Sequence, residues 1–317
     1  MEKRKVLVCG ATGFLGRNTV ETLANREDLE IYGTYFNSEP YHNPKINLQK
    51  ANLTREEEVN KVVRSMDIVI HLAATTSGAK DIVSKPYIHV TNNAVMSHLI
   101  LRSVFDNNVK QFIFPSCTVM YPPLNEKPVK ETDYTGEIEK KYFGAATMKI
   151  NLEQTCEFFS RFEKTKHTVF RHSNVYGPHD KYDLDKSHVF GATITKVMTA
   201  KDDDTINVWG EGTEERDLIY VDDVVSFIEA AIDKQTTPYE LVNVGLGKSI
   251  PIKDLVKKII DASGKKLKIN YDLAGPSIKT KVALDCTKAK KIFEWEPQIS
   301  LDEGIRKTIN WYKENIR

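Results

Sequence analysis

The sequence predicts an α/β protein, a doubly wound parallel sheet with helices on both faces, followed by a smaller C-terminal α/β unit. Three observations carry that expectation. Short apolar runs alternate with helix-period segments through the first half of the 317-residue chain. The first apolar run leads directly into a glycine-rich turn and an amphipathic segment. After Tyr176-Gly177-Pro178 the alternation gives way to loops rich in Asp, Gly and Lys. Strands joined by helices of this length make a parallel sheet, because each helix carries the chain back to start its next strand in the same direction.

In order along the chain, Lys5–Val8 reads as a strand, Gly16–Ala24 as a helix and Glu30–Tyr35 as a strand. Glu56–Arg64 reads as a helix, Ile68–Leu72 as a strand and Asn92–Asn107 as a helix. Gln111–Pro115 then reads as a strand, Thr147–Phe162 as a helix and His167–Arg171 as a strand. Beyond them come the loops Asp180–Ser187, Lys201–Thr205 and Gly210–Glu215, with helices at Asp222–Ile232, Ile252–Ala262 and Leu301–Asn315.

Composition excludes several classes. Apolar residues make up 40% and charged residues 28%, enough for one large domain or two closely packed ones. The net charge of +1 is spread as interleaved acids and bases, with no basic stripe for nucleic acid. The longest apolar run, Asp67–Ala74, is far shorter than the ~18 residues of a membrane span. The opening MEKRK-VLVCG has too short an apolar run for a signal peptide and reads as a buried strand. Cys9, Cys117, Cys156 and Cys286 are widely spaced, so neither a metal site nor a disulfide framework is expected, and reduced thiols suit a cytoplasmic protein.

Gly10-Ala11-Thr12-Gly13-Phe14-Leu15-Gly16 closes the first strand and opens a helix. Glycines there permit a tight turn and let the backbone approach a pyrophosphate, whose charge sits at the helix N-terminus. This is the dinucleotide turn of a Rossmann sheet, so Gly10, Thr12, Gly13, Phe14, Leu15 and Gly16 are candidate cofactor-binding residues. The second strand ends Tyr32-Gly33-Thr34-Tyr35-Phe36-Asn37, without the carboxylate that usually binds the ribose of NAD. NADP is therefore slightly favoured over NAD, although no arginine stands there for a 2′-phosphate. The division this implies is a dinucleotide-binding domain over 1–174 and a substrate-binding domain over 175–317, the chain returning to the first sheet near 215–245.

Further motifs follow in a fixed order: His71-Leu72-Ala73-Ala74, Asn92, Arg171 through Pro178, Arg216 through Asp223, Asn243-Val244-Gly245 and Leu284-Asp285. Together with the glycine turn they resemble the extended short-chain dehydrogenase/reductases, the NAD-dependent epimerase/dehydratase family, over nearly the whole chain. Gly177-Pro178-His179-Asp180, Ser187-His188-Val189 and Val208-Trp209-Gly210 look most like the GDP-fucose synthase branch. The resemblance implies an NAD(P)-dependent epimerase or reductase acting on a GDP-linked 4-keto sugar. It adds Leu72, Ala73, Ala74 and Asn92 to the cofactor site, and Asn174, His188, Trp209 and Arg216 to the substrate site. Arg216 would grip the nucleotide diphosphate with its guanidinium fork, or be a surface charge. Trp209 is a base or sugar contact or a core residue. Asp222-Asp223 invites a metal reading, but an acidic helix start is the simpler one, and no metal is expected.

The resemblance also implies Tyr-x-x-x-Lys on a helix, where one turn puts both side chains on one face and the lysine lowers the tyrosine pKa. Lys149 stands where that lysine belongs, holding the nicotinamide ribose, but four residues earlier the chain has Ala145. Tyr142 lies seven residues before Lys149, about 10 Å along a helix axis, and either turns inward where Gly144 breaks the helix or packs at the helix start. Ser116, Cys117 and Thr118 follow the strand at which the family keeps its catalytic hydroxyl. Cys117 and His188 match an acid–base pair that epimerises carbon beside a keto group, or Cys117 is an inert buried thiol. A non-catalytic or redox-silent nucleotide-sugar binder is the rival reading, because of Ala145. A homodimer is expected through the helix of Lys149 and the one before it, with Val95-Leu99-Val104 and Leu152-Cys156-Phe159 as contact residues.

Overall fold

A computed structural model describes residues 2–75, 87, 90–184, 187–274 and 280–316. The first part runs β1 (Arg4–Cys9), α1 (Phe14–Leu23), β2 (Leu29–Tyr35), β3 (Ile46–Lys50), α2 (Glu56–Val63) and β4 (Ile68–His71). It continues with α3 (Thr91–Asp106), β5 (Gln111–Ser116), α4 (Phe143–Ser160) and β6 (Lys166–His172). The remainder comprises β7 (Asn174–Tyr176), α5 (Val189–Thr199), β8 (Thr205–Trp209), β9 (Glu215–Tyr220), α6 (Val221–Lys234) and β10 (Tyr239–Val244). It ends with β11 (Ser249–Pro251), α7 (Ile252–Ser263), β12 (Lys268–Asp272), α8 (Thr287–Phe293) and α9 (Leu301–Asn315).

The main sheet has seven strands in the order β10-β6-β5-β4-β1-β2-β3, all parallel. This is the doubly wound Rossmann arrangement the sequence predicts. Its central strands are apolar on both faces because helices cover both. Val6, Val8, Ile31, Ile68 and Ile70 pack toward α1, α6 and α8. Leu7, Cys9, Val69, Phe112 and Phe114 pack toward α2, α3 and α4. The strand order reverses between β1 and β4, the switch point at which an open α/β sheet takes its ligands, outside the carboxyl ends of the strands. The chain returns to this sheet as β10 beside β6, whereas β9 pairs with β7 and β11 in a separate small sheet. That sheet and the β8–β12 pair share a third cluster with α5, α7 and α9.

Three differences from the sequence reading have physical causes. α4 begins at Phe143, four residues before the expected Thr147, and Gly144 lies inside it rather than breaking it. A Cβ at Gly144 would come 2.9 Å from Val90 Cγ2, so the glycine serves close packing of α3's entry against α4. Short strands such as β3, β7 and β11 have too few residues to show a period. Of the expected dimer contacts, Val104, Leu152 and Cys156 are buried under the sheet. The exposed large apolar residues of these helices and the turn after α4 are Val95, Phe143, Phe158 and Phe162. Among the described residues no helix is long and apolar enough to cross a membrane, and all four cysteines are free.

Candidate active site

The glycine turn is held by backbone contacts. Gly10 has φ +83°, and a Cβ on it would lie 2.7 Å from Ala73 Cα, so the β1 and β4 loops touch through their main chains. A Cβ on Gly16 would meet Gly10 O at 2.0 Å, which fixes α1 against the turn. β2 holds the same turn from the other side: Gly10 N donates to Thr34 Oγ1 at 3.0 Å and Ala11 N to Thr34 O at 2.8 Å. Gly13 differs from both. A Cβ there would meet only Gly10 O, at 3.4 Å, so the direction its side chain would take is open. No side chain caps α1, and the N–H groups of its first turn are left for a ligand. An open Gly13 above uncapped N–H groups fits a pyrophosphate.

Around this turn, Thr12 Oγ1 and Ser38 Oγ are 2.6 Å apart, and Phe14 and Leu15 begin the helix. Leu72 and Ala73 follow β4, with Leu72 N donating to Cys9 O at 3.0 Å, and Ala74 leads to Thr75. Asn92 is exposed at the start of α3. The clamp on the β4 loop is its neighbour Asn93, which accepts from Thr75 N at 2.7 Å and donates to Thr75 O at 3.1 Å. Asn18 of α1 donates to Pro178 O at 2.9 Å and so ties the dinucleotide helix to the Tyr176-Gly177-Pro178 turn. Neither Asn93, Thr34 nor Asn18 carries a local sequence signal, because each partner lies far along the chain.

At the ends of β5 and β6, a buried network sets the geometry. Arg171 meets the Glu153 carboxylate through Nη2 at 2.7 Å and Nε at 3.1 Å. Ser116 Oγ also donates to Glu153, and Arg171 Nη1 reaches Tyr121 Oη at 3.0 Å. Ser116 is therefore fully buried with its hydroxyl committed to Glu153. One helical turn before Glu153, Lys149 donates from Nζ to Pro115 O at 2.7 Å and sits 4.4 Å over the Phe114 ring. Burial lowers the Lys149 pKa, while Cys117 and Glu153 act in the opposite direction. Burial raises the Cys117 thiol, against the charge of Lys149. Thr118 follows, half-buried, in the turn closed by Tyr121 N donating to Thr118 O at 3.0 Å.

β5 and β6 are in register at Ser116 and Arg171, and Cys117 and His172 are the residues that follow that pair. His172 was not singled out by sequence reasoning. Its ring lies within the influence of both Lys149 and His188, which bring together α4, the start of α5 and the end of β6. Lys149, Cys117 and His172 are deep in the protein and yet partly solvent-accessible. This combination belongs to the floor of a cleft. His188 precedes α5 with its side chain reached by solvent, and the protein around it still lowers its pKa by desolvation.

The other candidates lie further out. Tyr142 is the residue before α4, and the charges acting on its hydroxyl are Arg216 and Glu139; burial raises its pKa. Arg216 on β9 bonds Glu215 O at 2.8 Å and the Thr280 hydroxyl. Asn174 Nδ2 donates to Asp217 O at 3.0 Å, holding β7 to β9. Asp217 in turn accepts from Leu246 N, Gly247 N and Leu284 N, gathering the loop after β10 and the segment before α8 at β9. Trp209 is 51% exposed at the end of β8, with Lys196 Nζ 5.7 Å from its ring. Asp223 accepts from Gln298 N at 2.8 Å and Ile299 N at 3.1 Å, which ties α6 to the segment before α9.

A parallel sheet whose first turn presents uncapped N–H groups beside a cleft of lysine, cysteine and histidine defines a dinucleotide-binding α/β protein. The NAD dependent epimerase/dehydratase family matches residues 6–245, and the chain belongs to that family. GDP-L-colitose synthase of Yersinia pseudotuberculosis is 27% identical, covering 97% of this chain and 97% of its own. GDP-L-fucose synthase of Escherichia coli K12 is 26% identical, over 99% of this chain and 98% of its own. The crystal structure of UDP-glucose 4-epimerase with UDP-glucose from Thermotoga maritima has a TM-score of 0.85 at 26% identity, covering 99% and 100% of the two chains.

Proposed function

We propose that this protein is an enzyme, an NAD(P)-dependent epimerase/reductase acting on a GDP-linked 4-keto sugar in the cytoplasm. The observation that carries the reading is the convergence of Lys149, Cys117 and the two histidines beside an open dinucleotide turn. Residues 1–174 hold the cofactor and 175–317 the sugar nucleotide. NADP or NAD, when bound, supplies or accepts the hydride. Lys149 holds the nicotinamide ribose, and Gly10, Thr12, Gly13, Phe14, Leu15 and Gly16 line the pyrophosphate. The absence of a carboxylate from Ile31 through Asn37 at the end of β2, with the Thr12 and Ser38 hydroxyls nearby, favours NADP. Cys117 and His188 move protons at the carbon beside the keto group. Thr118 bonds the sugar, since the Ser116 hydroxyl is taken by Glu153. Arg216, with Tyr142 nearby, binds the diphosphate, and Asn174 and Trp209 contact the sugar nucleotide.

The GDP-sugar relatives support the guanine base, whereas the Thermotoga epimerase binds a uridine nucleotide. Calorimetry with GDP, UDP, NADPH and NADH separates these, and GDP and NADPH are expected to bind tighter than UDP and NADH. Incubation of a GDP-linked 4-keto sugar in D₂O should then put deuterium beside the keto group. Tight binding with neither deuterium uptake nor NADPH oxidation favours a redox-silent binder, the second reading that Ala145 supports. We also propose a homodimer joined through α3 and α4. Phe158 and Phe162 are 53% and 50% exposed and meet edge-on at 5.4 Å, an apolar patch of the kind a partner covers, and Phe143 is exposed at the other end of α4. A monomeric mass by light scattering at micromolar concentration overturns this.

A further inference from the structure

Hydride transfer at a sugar carbon needs a proton traded at the attached oxygen, and Ala145 leaves Lys149 without the tyrosine one turn away that would trade it. The residues nearest in type are otherwise engaged. Tyr142 sits under Arg216 and Glu139 rather than Lys149. The Ser116 hydroxyl is bonded to Glu153. His172 is different. It is the last residue of β6 and directly follows Arg171, which pairs with Ser116 at the end of β5. Its ring Nδ1 is 2.7 Å from Ser173 O, a carbonyl that can only accept, so Nδ1 carries the hydrogen and Nε2 keeps its lone pair. The ring is partly exposed, in the cleft that Lys149 and His188 also line.

We propose that His172 Nε2 exchanges the proton with the substrate oxygen during hydride transfer, in place of a tyrosine at 145. The proposal rests on the reading of this cleft as a hydride-transfer site. In reduction, the carbonyl carbon takes the two-electron hydride that NAD(P)H supplies, its oxygen takes the proton of the imidazolium Nε2–H, and neutral His172 regains a proton from water. In oxidation the sugar hydroxyl gives its proton to neutral Nε2 as the C–H hydride leaves to NAD(P)⁺. Burial, then the charges of Lys149 on α4 and His188 before α5, lower the His172 pKa to about 4, against the bond to Ser173 O; burial raises the Cys117 thiol and keeps it neutral. At rest the ring is a neutral acceptor. Two diphosphates brought into the cleft act in the opposite direction and raise its basicity.

The test compares the wild type with His172→Gln, whose amide can still donate to Ser173 O but cannot trade a proton, using a GDP-linked 4-keto sugar and NADPH. NADPH oxidation should fall roughly 100-fold or more in His172→Gln, with unchanged affinity for NADPH and GDP. Adding Ala145→Tyr to that variant should recover at least about tenfold, because the tyrosine takes over the same proton. In ¹⁵N-histidine spectra, the signal lost in His172→Gln should show the Nδ1–H tautomer and a pKa that rises when GDP and NADP⁺ bind. Turnover by His172→Gln at the wild-type rate, or a signal with the proton on Nε2 alone, overturns the role of His172. A wild type that binds both ligands and oxidises no NADPH overturns the hydride-transfer reading, and the proposal with it.

Discussion

The glycine turn after β1 and the cleft at the ends of β5 and β6 are neighbours along one edge of the sheet, but they are held differently. In the turn, main chain meets main chain: Gly10 against Ala73, Gly16 against Gly10 O, and Ala11 N against Thr34 O. In the cleft, long side chains from β5, α4, β6 and the start of α5 meet, and the Glu153–Arg171 pair fixes their bases. A backbone cradle tolerates little change, because no rotamer can yield to an added atom. A side-chain cleft can trade members, and the chain has Ala145 where its family resemblance implies tyrosine while keeping Lys149. The difference teaches that the two regions are built by separate means, main chain in the turn and side chains in the cleft.

The largest effect that would sharpen the comparison is expected at Glu153. Glu153→Ala leaves the Arg171 guanidinium buried without its counter-charge, and should cost about 3–5 kcal/mol. Urea unfolding measures it, and a loss under 1 kcal/mol would mean that Tyr121 and the Glu131 carbonyl suffice to hold Arg171. Gly13→Val probes the turn. Its new side chain points into open space, so the fold should lose about 1 kcal/mol at most, while dinucleotide affinity drops roughly 100-fold, about 2.7 kcal/mol. Unchanged affinity by calorimetry would remove Gly13 from the cofactor site.

Smaller effects are expected on the sugar side. In an exposed helix Gly→Ala stabilises by about 1 kcal/mol, but a Cβ at Gly304 of α9 would lie 2.1 Å from Tyr176 Oη. Tyr176 cannot retreat, since its ring packs 4.0 Å from Phe190. Gly304→Ala should therefore destabilise by about 1–2 kcal/mol net, and Tyr176→Phe in the same chain should recover part of it. The remaining effect is a pH dependence. The Asp180 carboxyl is pushed up from 3.8 to about 7 by burial, against the Lys181 N–H that bonds Oδ1, and Oδ2 is buried with no partner among the described residues. A raised folded-state pKa means a contribution present below pH 3.8 and lost as pH climbs through 7. Asp180→Asn, which cannot ionise, should gain melting temperature relative to the wild type between pH 5 and 8, by about 2–4 °C for each kcal/mol. A constant gap across that range would show that the carboxyl stays charged.

Much of the turn is legible in the sequence because its partners are local: strand, glycines and helix follow within about 20 residues, and their order is their geometry. Lys149 is legible for the same reason, one turn from the position of the absent tyrosine. Asn93, Thr34 and His172 are not, since each matters through a partner more than 15 residues away or on another strand. Tyr142 shows the limit of periodicity. It lies two turns from Lys149 in sequence, yet the 3₁₀ turn Lys140–Tyr142 ahead of α4 puts it under Arg216. The burial of Val104, Leu152 and Cys156, expected at a dimer face, has a similar cause: α3 and α4 are each apolar on more than one side, and only the sheet shows which side it covers.

The sequence by itself determined the alternation of strands and helices, the dinucleotide turn and the absence of a tyrosine at 145, because each follows from residue type and spacing along one stretch of chain. Only the tertiary structure decided that Ser116 is spent on Glu153, that Asn93 rather than Asn92 clamps the β4 loop, and that His172 at the end of β6 feels the charges of Lys149 and His188. Those outcomes depend on which strands lie side by side and in what register. Register is fixed by burial of the whole sheet between its helices, and no local pattern encodes it.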